Sequence, residues 1–182
     1  MAEISFIMSL IDENWTNATV DVDGNAANGE INAFGDNCPG TSSHRAKPLL
    51  IDIKNFTPNQ GRRVDLDSTD IILFYEDSAN ITHPTIDWSV RNEEYSFTLH
   101  IRTLQPKGQA DLTFASTRLQ SLYQITRHLI EKNGLRPSVV SDGTTYNAEL
   151  IEITGRNEAN DRGKRLLGYK MSVTMKRFGR TT

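Results

Sequence analysis

Four histidines, one cysteine and a run of three aspartates are the side chains in this sequence best suited to chemistry. His44, His83, His100 and His128 stand at spacings that no local zinc motif uses. Cys38 lies beside Pro39-Gly40 with only His44 near it in sequence. A thiol nucleophile needs a positioned base, so an incidental or buried thiol is the expected reading. A single cysteine also excludes an intrachain disulfide and a Cys-rich zinc site. Asp65, Asp67 and Asp70 are hard oxygen ligands of the kind that hold calcium. They lack the turn glycine and the closing glutamate of the helix-loop-helix calcium motif, so a solvated turn leading into a strand is expected. There is no Gly-x-Gly-x-x-Gly, no Walker-type Gly-Lys-Ser/Thr, no Gly-x-Ser-x-Gly elbow and no His-Glu-x-x-His pair. No catalytic residue, cofactor or metal is therefore expected.

The stretch from Arg156 to Arg165 carries the densest positive charge, with Arg156, Arg162, Lys164 and Arg165. Such groups suit phosphate contact. No aromatic residue interleaves with them as a stacking platform, and Glu158 and Asp161 dilute the charge. A polar hairpin tip, facing solvent or a neighbouring subunit, is the expected role. These four residues are the candidate assembly interface.

The elements that must position these groups follow from periodicity. Ile4, Ile7, Met8, Ile11 and Trp15 recur at helical spacing and predict an amphipathic first helix. Residues 21–47 are rich in Asn, Asp, Ser and Gly and read as an extended arm, mobile or bound to a partner. Leu49, Ile51 and Ile53 alternate with Leu50, Asp52 and Lys54 as in a strand. Asp70 to Glu76 predicts a short strand buried on both faces, and Asn80 to Asp87 a loop. Tyr95, Phe97, Leu99 and Ile101 alternate strictly with Ser96, Thr98, His100 and Arg102, the pattern of a half-buried strand. Burying those four side chains contributes about 6–12 kcal/mol before chain entropy is counted. His100 then lies on the polar face, solvated or hydrogen-bonded.

A second helix is marked by Leu112, Ala115, Leu119, Leu122, Ile125, Thr126, Leu129 and Ile130, with Gly134 placed for its C-terminal cap and Pro137 forbidding continuation. Tyr146 to Thr154 reads as one strand whose apolar phase shifts after Leu150, the mark of a bulge. Leu167 to Phe178 closes the chain as a second strand. The two are expected to pair as a long hairpin that projects from the domain, its exposed edge available to a neighbour. The fold class is thus α+β: a mixed or mainly antiparallel sheet of four to five strands, packed by two helices, in a single domain over residues 1–182.

Bulk properties agree with an assembly role. The apolar fraction is 37%, lean for a globular domain, and suggests either long polar loops or apolar surface completed by a partner. The formal charge is −3, from 20 Lys+Arg against 23 Asp+Glu, which does not announce a nucleic-acid binder. No apolar run approaches the roughly 20 residues that span a bilayer. Glu3, Asp12 and Glu13 argue against a secretory leader. Folding in a host cytoplasm is expected, so the Asn-x-Ser/Thr triplets at Asn14, Asn17, Asn55 and Asn80 read as chance.

From Val64 to Phe178 the order of these elements resembles the tail terminator proteins of long-tailed phages and related archaeal viruses. The likeness lies in Tyr95-Ser-Phe-Thr-Leu-His-Ile-Arg-Thr103, the helix through Leu119, Leu122 and Ile130, Tyr146-Asn-Ala-Glu-Leu-Ile-Glu-Ile153 and Tyr169-Lys-Met-Ser-Val-Thr-Met175. It covers about two-thirds of the chain and is one of pattern rather than signature residues. The region at 21–63 is longer than that pattern calls for. The resemblance implies a virion protein at the head-proximal end of the tail. It would form a ring, usually of six copies, that caps the tail tube, ends its polymerisation and meets the head connector, while DNA passes through the lumen without sequence-specific binding. The family contributes no catalytic residues. Two other classes stay open: another connector or neck protein, and a small enzyme assembled from distant residues, with Asp65, Asp67, His100 and Arg102 as its candidates.

Overall fold

A computed structural model describes residues 3–15, 48–53, 70–83, 90–104, 113–160 and 166–180. Helix α1 spans Glu3–Asn14. Its buried stripe is wider than the periodic residues suggest, adding Phe6 and Leu10 to Ile4, Ile7, Ile11 and Trp15. The acidic Glu3 sits in its first turn, where the helix dipole favours negative charge. Asn14 Nδ2 donates to the Leu10 carbonyl at 2.8 Å and satisfies one orphan acceptor of the last turn.

Seven strands follow: β1 (Leu49–Asp52), β2 (Ile71–Thr82), β3 (Val90–Leu104), then, after helix α2 (Thr113–Asn133), β4 (Ser138–Ser141), β5 (Thr144–Asn147), β6 (Leu150–Glu158) and β7 (Leu166–Arg180). The main sheet has the order β1-β2-β3-β7-β6, with β1 parallel to β2 and every other pair antiparallel. β4 and β5 form a separate two-stranded sheet. The expected class, a mixed sheet packed by two helices, is the observed one. No helix among the described residues is long and apolar enough to cross a membrane.

Strict alternation along β3 does what it predicts. Tyr95, Phe97, Leu99 and Ile101 are buried, as are Met171, Val173 and Met175 beside them on β7. Ile72 and Phe74 of β2 continue the same face. Ala115, Leu119, Leu122, Ile125, Thr126, Leu129 and Ile130 of α2 are buried. The apolar side chains of both helices and this sheet face form one core. The opposite face carries Thr98, His100, Arg102, Lys170 and Ser172, and no described helix packs on it.

Four expectations need correction. β2 runs on past Glu76 to Thr82, so the first three residues of the expected loop, Asn80 to Thr82, are strand. Its polar second half is held by backbone pairing with β3 and is exposed. Tyr146 to Thr154 is not one strand: the chain leaves the small sheet after Asn147 and enters the main sheet at Leu150. Ala148 N donates to Pro137 O, whereas Glu149 N donates to Lys176 O. The phase shift thus records a change of sheet, and the bulge lies further on, between Ile153 and Gly155. The closing hairpin does not project. β7 pairs with β3 over its whole length, from Leu104↔Leu166 to Val90↔Arg180, which makes β7 interior and β6 an edge. Finally, Gly134 is not needed for a left-handed cap, since Gly143 is the only described glycine with positive φ. Its role is close approach. A Cβ at Gly134 would overlap the carbonyl oxygens of Ile151 and Ile130.

Candidate assembly surface

The site begins with the side of β6 that faces away from β7. At its start the segment after α2 covers that side: Leu135 bridges Leu150, and Ile151 N donates to Gly134 O at 2.7 Å. Beyond this bridge, from Glu152 to Glu158, no described strand pairs with β6 on its outer side. Leu135 and Val140, beside and beyond the bridge, are 77% and 60% exposed. At the other end of the sheet β1 has, among the described residues, a strand on its inner side alone, and Leu49 is 40% exposed.

Arg156, expected in a loop, lies in β6 opposite Met171 and therefore on the helix-bearing face. Its guanidinium carbon is 4.0 Å from the ring centre of Tyr169 and 4.5 Å from that of Tyr123. The two rings meet edge to face at 5.2 Å. Such stacking contributes roughly 0.5–1 kcal/mol per ring at exposed sites and fixes the direction of the side chain. Arg156 is thus oriented by α2 and β7 rather than free at a tip. Sequence reading missed Tyr123 and Tyr169 as its holders, because contacts from residues so distant in the chain leave no local signal. Arg162, Lys164 and Arg165 lie outside the described residues. Lys176 and Glu152 pair across β6 and β7 at 3.0 Å, and that hydrogen bond holds the ammonium above its ordinary range.

The face opposite the helices carries a second cluster. Arg102 Nη2 and His100 Nδ1 are 3.1 Å apart. Guanidinium is only a donor, so this contact assigns Nδ1 as acceptor and leaves the proton on Nε2. Tyr75 lies against the imidazole, with ring centres 4.5 Å apart. Burial, then the charges of Arg102 and Lys170, pushes His100 down to about 4. The imidazole is neutral near pH 7, the hydrogen-bonded reading expected for it. Thr98 donates to Asp77 at 2.6 Å beside a hollow of about 370 Å³ lined by Ile53, Tyr75, Glu76, Asp77 and Ser78.

The remaining candidates do not converge. His100 and Arg102 are neighbours, but Asp65 and Asp67 lie outside the described residues, as do Cys38 and His44. Asp70 is buried at the end of the sheet, where it accepts a hydrogen bond from Thr103 at 2.8 Å. Among the described residues no three His, Cys, Asp or Glu side chains are grouped as metal ligands.

No protein-family model and no curated protein matches this sequence. What the geometry offers is backbone: two strand edges at opposite ends of one sheet, each with hydrogen-bonding groups directed outward, and an oriented cation beside one of them.

Proposed function

We propose that this protein is a structural virion subunit of the tail terminator kind. It forms a ring, of six copies, that caps the tail tube, ends tube polymerisation and joins the tail to the head connector, with DNA passing through the lumen. Its place is the head-proximal end of the virion tail, and its partners are itself, the tube protein and the connector. The observation that supports the reading is the closing hairpin, which places β6 at the end of the sheet with no described strand on its outer side beyond Leu150. An edge of that kind in a chain of lean apolar content is suited to completion by another subunit. No chemistry is assigned to the protein.

Negative-stain imaging of the purified protein, alone and mixed with tail tubes, tests the proposal. The expected result is rings, and tubes capped at one end. Rings that ignore tubes but bind the head connector would move the protein to the neck. A monomer at all concentrations that leaves tubes growing would overturn the reading.

A further inference from the structure

We infer that neighbouring copies join through their main sheets, the outer edge of β6 in one copy pairing antiparallel with the outer edge of β1 in the next. The inference deepens the ring reading and rests on it.

Strand direction carries the argument. β1 runs parallel to β2, β2 antiparallel to β3, β3 to β7 and β7 to β6. β1, β2 and β7 therefore point one way, β3 and β6 the other. A second copy set beside the first so that the two sheets continue, helix face to helix face, brings its β1 against β6 in antiparallel orientation. That is the more stable pairing mode.

Charge agrees, over an overlap of three residues in each strand. β1 has four residues, and four residues of β6, Gly155–Glu158, follow the bulge. Leu50 packs toward the helix-side core of its own copy, and Arg156 lies on the helix side of β6. Keeping those faces aligned allows alternate registers only. One of them sets Leu50 opposite Glu158, Ile51 opposite Asn157 and Asp52 opposite Arg156, a pair of opposite charges across the junction. Shifting by two residues sets Asp52 against Glu158, a like-charge pair.

The simpler dimer uses less of this surface. Two β6 edges paired with each other would close at two copies and leave both β1 edges uncovered. β1 holds Leu49, Leu50 and Ile51 in succession, between Pro48 and Asp52. The β6-to-β1 junction covers both edges with one contact and propagates in one direction, as a closed ring requires.

The experiment is thiol cross-linking in a Cys38→Ser background. Ile51→Cys and Asn157→Cys are introduced together and singly, and treated with a short bis-maleimide under conditions where sedimentation reports the oligomer. β1 and β6 lie at opposite ends of the sheet in one copy, so these thiols meet only between copies. The expected result is a ladder beyond the dimer for the double variant, dimers when the two single variants are mixed, and none for either alone. Dimers from Asn157→Cys alone would assign a β6-to-β6 contact and overturn the inference. Intact rings without cross-links would overturn it and leave the ring reading standing. A chain that is folded by circular dichroism but sediments as a monomer would overturn both.

Discussion

His100 is the residue whose environment has the clearest consequence in solution. Its pKa falls from the ordinary 6.5 to about 4 in the folded chain. Between those values the unfolded chain takes up a proton that the folded chain refuses. Stability from this group is therefore present above pH 6.5 and lost as pH falls toward 4. His128 on α2 shifts the same way, through burial and then Lys132, and adds to the loss. The urea midpoint of the parent is expected to drop across this window, and His100→Gln is expected to flatten the drop. An equally steep profile in the variant would show that the imidazole is not the group responsible. Ring formation by His100→Gln is expected to be unchanged, since Tyr75 and Arg102, which hold the imidazole, belong to the same copy.

At the scale of elements, the end of α2 and the start of β6 are locked together at Gly134. Its carbonyl accepts from Ile151 N, and its missing Cβ leaves room for the Ile151 and Ile130 carbonyls. Gly134→Ala forces backbone to move on both sides and is expected to cost about 1–3 kcal/mol, read as a lower urea midpoint with unchanged slope. The hairpin carries a different expectation. Reversing Arg162, Lys164 and Arg165 together to Glu is expected to weaken ring formation or tube docking while circular dichroism stays native. A single exposed ion pair contributes only about 0–1 kcal/mol, so the three are changed at once. Rings and tube binding unchanged by the triple reversal would remove the tip from the assembly surface.

Which elements were readable depended on where their pattern came from. β3 and α2 bury one face against the core, so their periods of two and 3.6 are written in single windows of sequence. β2 beyond Glu76 is exposed and polar, and only its ladder with β3 makes it a strand. The β4–β5 hairpin did carry a local signal. Asp142 and Gly143, at φ of 50° and 74°, form the Asp-Gly turn favoured between two short strands. The longer apolar alternation from Tyr146 to Ile153 hid it by running through the change of sheet at Ala148 and Glu149. The candidate surface was legible as far as the presence of a closing hairpin. The integration of β7 and the stacking of Arg156 arise from contacts between distant residues and had no local trace.

For the whole molecule, a ring makes folding and association one equilibrium. Copies that bind only in the folded state draw the chain toward it, so the unfolding temperature is expected to rise with protein concentration. Scanning calorimetry over a hundredfold range of concentration checks this. A midpoint independent of concentration would show that association contributes nothing to the stability of the fold.

The place of β7 has a consequence for the timing of assembly. The strand that comes last among those described lies between β3 and β6, and Arg177 within it pairs with Glu3 of α1 at 3.3 Å. On the ribosome, β6 is synthesised before the strand that attaches it to the sheet. Until β7 emerges, β6 has no ladder of the main sheet to join. Pairing over so long a stretch of chain is also slow to form. In the ring proposed above, completion of the sheet by β7 would therefore come before association through β6.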